Sequence, residues 1–198
     1  MMRRAGRGFT LPELLLVVVV AGILLTIGLP SFREMILMQR LRGINSQLVT
    51  DLQFARAEAA ARNQWARVAF ERNDTVSCYT IYTSAGITDS DRCDCRLGVG
   101  AACTDTRSEV RTVQVPSEDG VQLQVVLDAD NNELAFAFDH VTGRILSVPV
   151  DDNPRSLPAF RIDASIDANR VMRTEVGQVG RVNVCAPAST TVGAPPCP

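Results

Sequence analysis

Glu13 has the most chemistry to explain. It stands at the mouth of a run without a charge from Leu14 to Leu29, directly after a leader that carries Arg3, Arg4 and Arg7. An ionised carboxylate at the centre of a membrane helix costs on the order of 2.5–3.5 kcal/mol, and less near an end, so such a group is ordinarily paired and functional. The partner it needs is a cation at the same depth. A span takes roughly 20 mostly apolar residues, which residues 9–29 supply, with Thr10 and Glu13 near one end. The arginines precede the run and no basic residue follows until Arg33. That bias holds the N-terminus in the cytoplasm and sends the remainder across the membrane. A secretory signal would instead keep its apolar region free of charge and close on a small-residue cleavage site.

Six cysteines are the second set with chemistry: Cys78, Cys93, Cys95, Cys103, Cys185 and Cys197. In an exported domain the compartment is oxidising, and disulfides are the default. Sequence alone leaves the connectivity open. Cys93 and Cys95 are too close to bridge each other without strain. The arrangement expected is Cys185–Cys197 tying down the C-terminal tail, with Cys78, Cys93, Cys95 and Cys103 forming two bridges around an irregular loop. A zinc site from those four is the rival, but their spacing lacks the paired C-x-x-C pattern. His140, the single histidine, lies in a turn beside Asp139 without a base–nucleophile constellation around it. Asp128, Asp130 and Asn132 have the first spacings of a calcium loop, but Glu133 occupies the position that needs glycine, so a solvated hairpin is expected. No glycine-rich phosphate loop or nucleophile elbow is present. Neither an enzyme nor a cofactor is expected, and no metal.

The elements that must position these residues fall into two classes. Leu37, Leu41, Ile44, Leu48, Leu52, Ala55 and Ala59 recur at steps of three and four, one face of an amphipathic helix. Arg40, Gln47, Asp51, Arg56 and Arg62 point in other directions, and Asn63 is the expected stop. The helix is therefore apolar all round in its first half and striped in its second. Beyond Asn63 the period changes to two, in short runs bounded by turn residues. Strands are expected over 68–70, 76–82, 110–115, 121–127, 134–138, 145–148, 160–166, 171–176 and 182–184. Residues 83–108 form the irregular segment, and the tail over 186–198 is expected on the surface. The fold class is α+β: a long N-terminal helix packed on an antiparallel β domain large enough for one core. The divisions are residues 1–8, a leader; 9–63, the helix, spanning the membrane over 9–29 and amphipathic over 30–63; and 64–198, the β domain.

Gly8-Phe9-Thr10-Leu11-Pro12-Glu13, the arginines before it and the apolar run after it resemble the prepilin leader of type IV pilins and type II secretion pseudopilins. The resemblance implies a pilin-like fold, cleavage of the Gly8–Phe9 bond by a prepilin peptidase, and N-methylation of Phe9. The new α-amino group of Phe9 is then the cation available to Glu13, within one chain or between staggered subunits, and the family assigns the equivalent glutamate a role in filament assembly. Pro12 stands where the family more often has Ile or Leu; a first helical turn tolerates it because its missing N–H would be unpaired anyway. Pro30 falls where pilins often carry a helix-bending proline, and periodicity resumes directly after it. Leu52-Gln53-Phe54-Ala55-Arg56-Ala57-Glu58-Ala59 with Arg62-Asn63 resembles the helix end of the GspH/FimT branch. Phe136-Ala137-Phe138-Asp139-His140-Val141-Thr142-Gly143-Arg144 and Gly180-Arg181-Val182-Asn183-Val184-Cys185 resemble its glycine turn and its C-terminal strand. The implied protein is a minor pilin or pseudopilin of a type IV pilus or a type II secretion filament. It would cross the bacterial inner membrane once, with its β domain in the periplasm. Its partners would be other minor pilins or pseudopilins, the major pilin, the prepilin peptidase and the inner-membrane assembly platform.

Some proteins of the FimT kind are DNA receptors for natural transformation, which makes Arg181, with Arg170 and Arg173 on the strands before it, candidate DNA contacts. Asn183 departs from the Gly-Arg-x-Arg pattern. Charge opposes the idea as well: without Arg3, Arg4 and Arg7, 17 of the 20 basic residues remain against 22 acidic ones, about −5 for the mature side chains. That is a poor footprint for a phosphate backbone.

Overall fold

The computed structural model describes residues 10–87, 92–104, 107–127, 133–148, 154–188, 190 and 192–197, without the side chains of 27–31. The chain divides into two compact units, Met1–Met38 and Gln39–Pro198. A helix, α1, is assigned over Leu11–Arg62 and contributes to both. In the first unit its described side chains are exposed from Leu11 to Thr26, among them Leu14, Leu15, Leu16, Val17, Val18 and Val19. Position 30 is helical, but the Pro30 side chain lies outside the described residues, and so does the bend expected there.

The second unit begins with the striped part of α1. Leu41, Leu48, Leu52, Ala55 and Ala59 are fully buried. Asn63 ends the helix by taking φ = 52°, the left-handed conformation that asparagine tolerates better than most residues. The amide of Gln64 then returns to the carbonyl of Ala59 at 3.3 Å, which caps an otherwise orphaned acceptor.

Among the described residues nine strands follow: β1 Trp65–Arg72, β2 Val76–Ser84, β3 Ser108–Pro116, β4 Gln122–Val125, β5 Ala135–Phe138, β6 Ile145–Ser147, β7 Ala159–Asp167, β8 Arg170–Gly177 and β9 Val182–Cys185. They form two antiparallel sheets, ordered β3-β2-β1-β5-β6 and β4-β7-β8-β9. Between them lies an aromatic core. Phe160 of β7 stacks on Phe70 of β1 at 5.8 Å and tilts against Phe136 of β5 at 4.6 Å.

Strands β1, β2 and β5 of the first sheet are buried on both faces, which is why they lack a clean hydrophobic alternation. Its outer face carries Ala69, Tyr82, Ala135 and Ala137, covered by Ile87 and Cys93 from the β2–β3 connection together with Val148. Two disulfides fasten that connection, Cys78–Cys95 and Cys93–Cys103. A third, Cys185–Cys197, folds the C-terminal segment back beside β9, where Ala186 exchanges backbone hydrogen bonds with Pro195 and Cys197. The tail is not wholly superficial: Val192 is buried, and its carbonyl lies 3.5 Å from the Arg42 guanidinium.

Candidate functional site

Gly8 and Phe9 lie outside the described residues, so the site begins at Thr10. The amides of Glu13 and Leu14 donate to the Thr10 carbonyl at 3.1 and 3.2 Å, which makes Thr10 the residue that opens α1. The Glu13 carboxylate turns back toward the Thr10 amide, 3.5 Å away. Thr-x-x-Glu is the spacing of a capping box, in which a glutamate in the first turn reaches back to the residue that starts the helix. Pro12 falls between them, where no intrahelical bond needs its missing N–H. Glu13 is solvent-exposed and meets no cation among the described residues. Beyond it the exposed apolar side chains include Val20, Ile23, Leu24 and Leu25, and then Phe32, Met35 and Ile36. Among the described residues no helix is long and apolar enough to cross a membrane; the described part of the apolar run stops at Thr26, although its sequence continues apolar through Leu29.

A second constellation lies in the β domain, where three separate stretches of sequence meet. Arg56 of α1 rests its guanidinium against the turn at Gly143 and the turn at Gly180, with Nη1 3.4 Å from the Gly180 carbonyl. Both glycines have positive φ, +67° and +74°. A Cβ at Gly180 would sit 2.2 Å from the Gly143 carbonyl oxygen, and one at Gly143 would sit 2.8 Å from Arg56 Nε. No side chain fits between the two turns, so glycine is needed for space as well as for backbone conformation. The turn at Gly143 is ordered by Asp139, whose carboxylate accepts from the amides of Val141 and Thr142 and from the Thr142 hydroxyl. Burial pushes the Asp139 pKa up, but those hydrogen bonds and the facing His140 outweigh it and hold it below the usual carboxylate value. His140 packs edge-on against Trp65 with ring centroids 5.3 Å apart, and its Nδ1 lies 3.7 Å from Asp139.

The arginines proposed as DNA contacts do not form a free basic stripe. Arg170 pairs with Asp167, Arg173 with Asp163 and the neighbouring Arg161 with Glu175. Hydrogen bonds from the Arg170 side chain, with those from the Asn169 and Arg170 amides, keep the exposed Asp167 carboxyl below its ordinary pKa. Arg181 is exposed immediately before β9, and Asn183 follows in the strand with an exposed side chain. The six cysteines are all in disulfides, which leaves no thiolates for zinc. Asp128, Asp130 and Asn132 lie outside the described residues, and no metal-holding group of side chains occurs among the described ones.

Sequence reasoning pointed Asp51 away from the apolar stripe of α1; the structure corrects this. Asp51 is 1% exposed. It accepts a hydrogen bond from the Tyr79 hydroxyl at 2.6 Å and faces Arg111 Nε at 3.0 Å, joining the helix to β2 and β3. Burial, and then the hydrogen bond to Asp51, push the Tyr79 pKa far up. One signal for this existed: Asp51 lies three residues after Leu48 and four before Ala55, on the same stripe.

Compared with known proteins, residues 3–29 match the prokaryotic N-terminal methylation motif. No curated protein and no solved structure matches the chain. The chain thus carries a type IV pilin-like N-terminus, ahead of a disulfide-bonded α+β body.

Proposed function

We propose that this chain is a minor pilin or pseudopilin subunit of the GspH/FimT kind, with a structural role in a type IV pilus or a type II secretion filament. The observation that carries the reading is the methylation motif over residues 3–29, on a helix whose described side chains are exposed from Leu11 to Thr26 and whose second part packs on a β domain. In this reading a prepilin peptidase cleaves after Gly8 and Phe9 is then N-methylated. Residues 9–29 hold the subunit in the inner membrane, with the β domain in the periplasm. Glu13 has no cation in the described chain and stands close to where the new α-amino group would be, so it is the group that meets that amine on assembly. The three disulfides suit an oxidising compartment. The other expected partners are neighbouring minor subunits, the major pilin and the assembly platform.

N-terminal sequencing of protein extracted from membranes tests the reading. A start at N-methylated Phe9 supports it, and an intact Met1 sinks it. The DNA-receptor alternative has weaker support, because Arg170 and Arg173 spend their charge on Asp167 and Asp163. A gel-shift titration decides it: retention of DNA at low salt that weakens as salt rises would favour a receptor.

A further inference from the structure

Most arginines of the Gln39–Pro198 unit are committed. Arg40, Arg62, Arg92, Arg96, Arg111, Arg161, Arg170 and Arg173 each face a carboxylate. Arg42, Arg56 and Arg72 spend their guanidiniums on Val192, Gly180 and Gln124. Arg144 and Arg181 differ: both are exposed, and neither guanidinium has a partner among the described residues. They directly follow Gly143 and Gly180, the two glycines whose turns touch. The same turns carry Val141, 78% exposed, and Val179, 60% exposed. The result is a tip with two open cations and two open apolar side chains. It is held in shape by Asp139, by the Gly177 amide bonded to the Arg181 carbonyl at 2.9 Å, and by the Ile145 amide bonded to the Gln178 carbonyl at 3.1 Å.

The complement lies on the same domain. The β1–β2 turn and the end of β3 form an open cleft of about 430 Å³, lined by Asp74, Thr75, Pro116, Ser117 and Glu118. Asp74 and Glu118 are exposed carboxylates, again without a partner among the described residues; Arg40, close by, is taken by Asp119. This turn is also fixed, since Asn73 Oδ1 accepts from the amides of Thr75 and Val76 and the Ser117 amide donates to Thr75. The two sites lie at opposite ends of β1. The tip is at the Trp65 end, where Ala66 pairs with Phe138 and His140 covers Trp65. The cleft is at the Arg72 end, about 23 Å away across the seven rises of an eight-residue strand.

We propose that the tip of one copy of this chain docks into the cleft of a second copy. Arg144 and Arg181 would meet Asp74 and Glu118, and Val141 and Val179 would cover Thr75 and Pro116. Two different patches at opposite ends of one domain make a heterologous contact, which extends head to tail instead of closing into a symmetric dimer. A protein partner fits the tip better than a phosphate backbone does. Two exposed valines on its turns offer nothing to phosphate, and Asp139 keeps a negative charge on the turn that carries Val141. The contact goes beyond the filament reading and does not depend on processing at Gly8.

The test uses the full chain in membranes, with photoreactive benzoylphenylalanine in place of Val141. Illumination should yield a dimer adduct whose cross-linked peptide contains residues 73–75 or 116–118. Reversing the tip (Arg144→Glu with Arg181→Glu) or the cleft (Asp74→Arg with Glu118→Arg) should each lower the yield at least about tenfold. Co-expressing the tip-reversed photoreactive chain with the cleft-reversed chain should restore it. Non-reducing gels that show all three disulfides intact serve as the folding control, and a reversal that fails it is replaced by the neutral pair Arg144→Gln with Arg181→Gln. An adduct with nucleic acid or with another protein, a yield indifferent to charge reversal, or no dimer adduct from a correctly disulfide-bonded chain would overturn the proposal. N-terminal sequencing of the same samples tells a failed docking contact from a failed filament reading, because every variant should still begin at Phe9.

Discussion

Replacing Asp51 by alanine should cost far more than a charge on an exposed helix face would suggest. In the native chain its carboxylate is nearly inaccessible and bonds both Tyr79 and Arg111. Alanine leaves the buried Tyr79 hydroxyl without an acceptor, a penalty of about 1–3 kcal/mol. Arg111 is 47% exposed and can return to water, so its share is that of an exposed pair, about 0.2–1 kcal/mol. Alanine's better helix propensity returns about 0.5 kcal/mol. The net expectation is a loss of about 1–3 kcal/mol. Asp51→Asn keeps an acceptor for Tyr79 and should cost only about half as much. The assay is urea unfolding of the full chain in detergent micelles with disulfides intact, followed by the fluorescence of Trp65, the single tryptophan. A double-mutant cycle with Tyr79→Phe should give a coupling of about 1 kcal/mol or more. A loss below about 0.5 kcal/mol for Asp51→Ala, or strict additivity with Tyr79→Phe, would refute the argument that this network holds the helix to the sheet.

The same tyrosine sets a pH dependence. Its folded pKa is raised above the unfolded value of 10.0, so the stability it contributes is complete below pH 10 and is lost as pH rises above that, by up to about 1.4 kcal/mol per pH unit. Tyr79→Phe should flatten alkaline unfolding, and equal slopes for the two proteins would contradict the assignment. Gly180→Ala should destabilise the domain by about 2–4 kcal/mol, from positive φ and from collision with the Gly143 carbonyl; a melting temperature within a degree of the parent would rule the clash out. Replacing Cys185 and Cys197 together by serine should cost about 2–4 kcal/mol, since the bridge closes a separation of 12 residues. Limited proteolysis should then cut within 186–197 first, and a tail as resistant as before would show that the bridge does not hold it. Glu13→Ala should leave the chain folded and membrane-bound but lower its recovery in sheared filaments at least tenfold, and normal incorporation would refute the role given to Glu13.

Much of the helix was legible because a buried stripe imposes a period of three to four residues on the sequence. Leu41, Leu48, Leu52, Ala55 and Ala59 show it directly. The strands showed through β-branched runs and turn residues, but not their partners. Nothing in Val68 or Phe136 says that β1 pairs with β5 across some 60 intervening residues, because pairing is settled by which surfaces cover one another. Burial of both faces of the first sheet was equally hidden, since the covering loop is poor in large apolar residues and is held by disulfides. Asp51 was misread because a charged residue on a stripe looks like an interruption until its partners on β2 and β3 are known.

The local features came from the sequence alone. The N-terminal arginines, Gly8, Glu13 and the uncharged run after it are defined by spacing along one chain, and so are the striped helix and the Asn63 stop. Contacts between distant residues belonged to the tertiary structure. It brought Arg56, Gly143 and Gly180 to one point, neutralised Arg170 and Arg173 while leaving Arg144 and Arg181 without a partner among the described residues, and placed an acidic cleft at the far end of β1 from a basic tip. The physical reason is that helix and turn signals act over a few residues of backbone. Which charge meets which, and which side chain is left without a partner, depends on how separate elements pack.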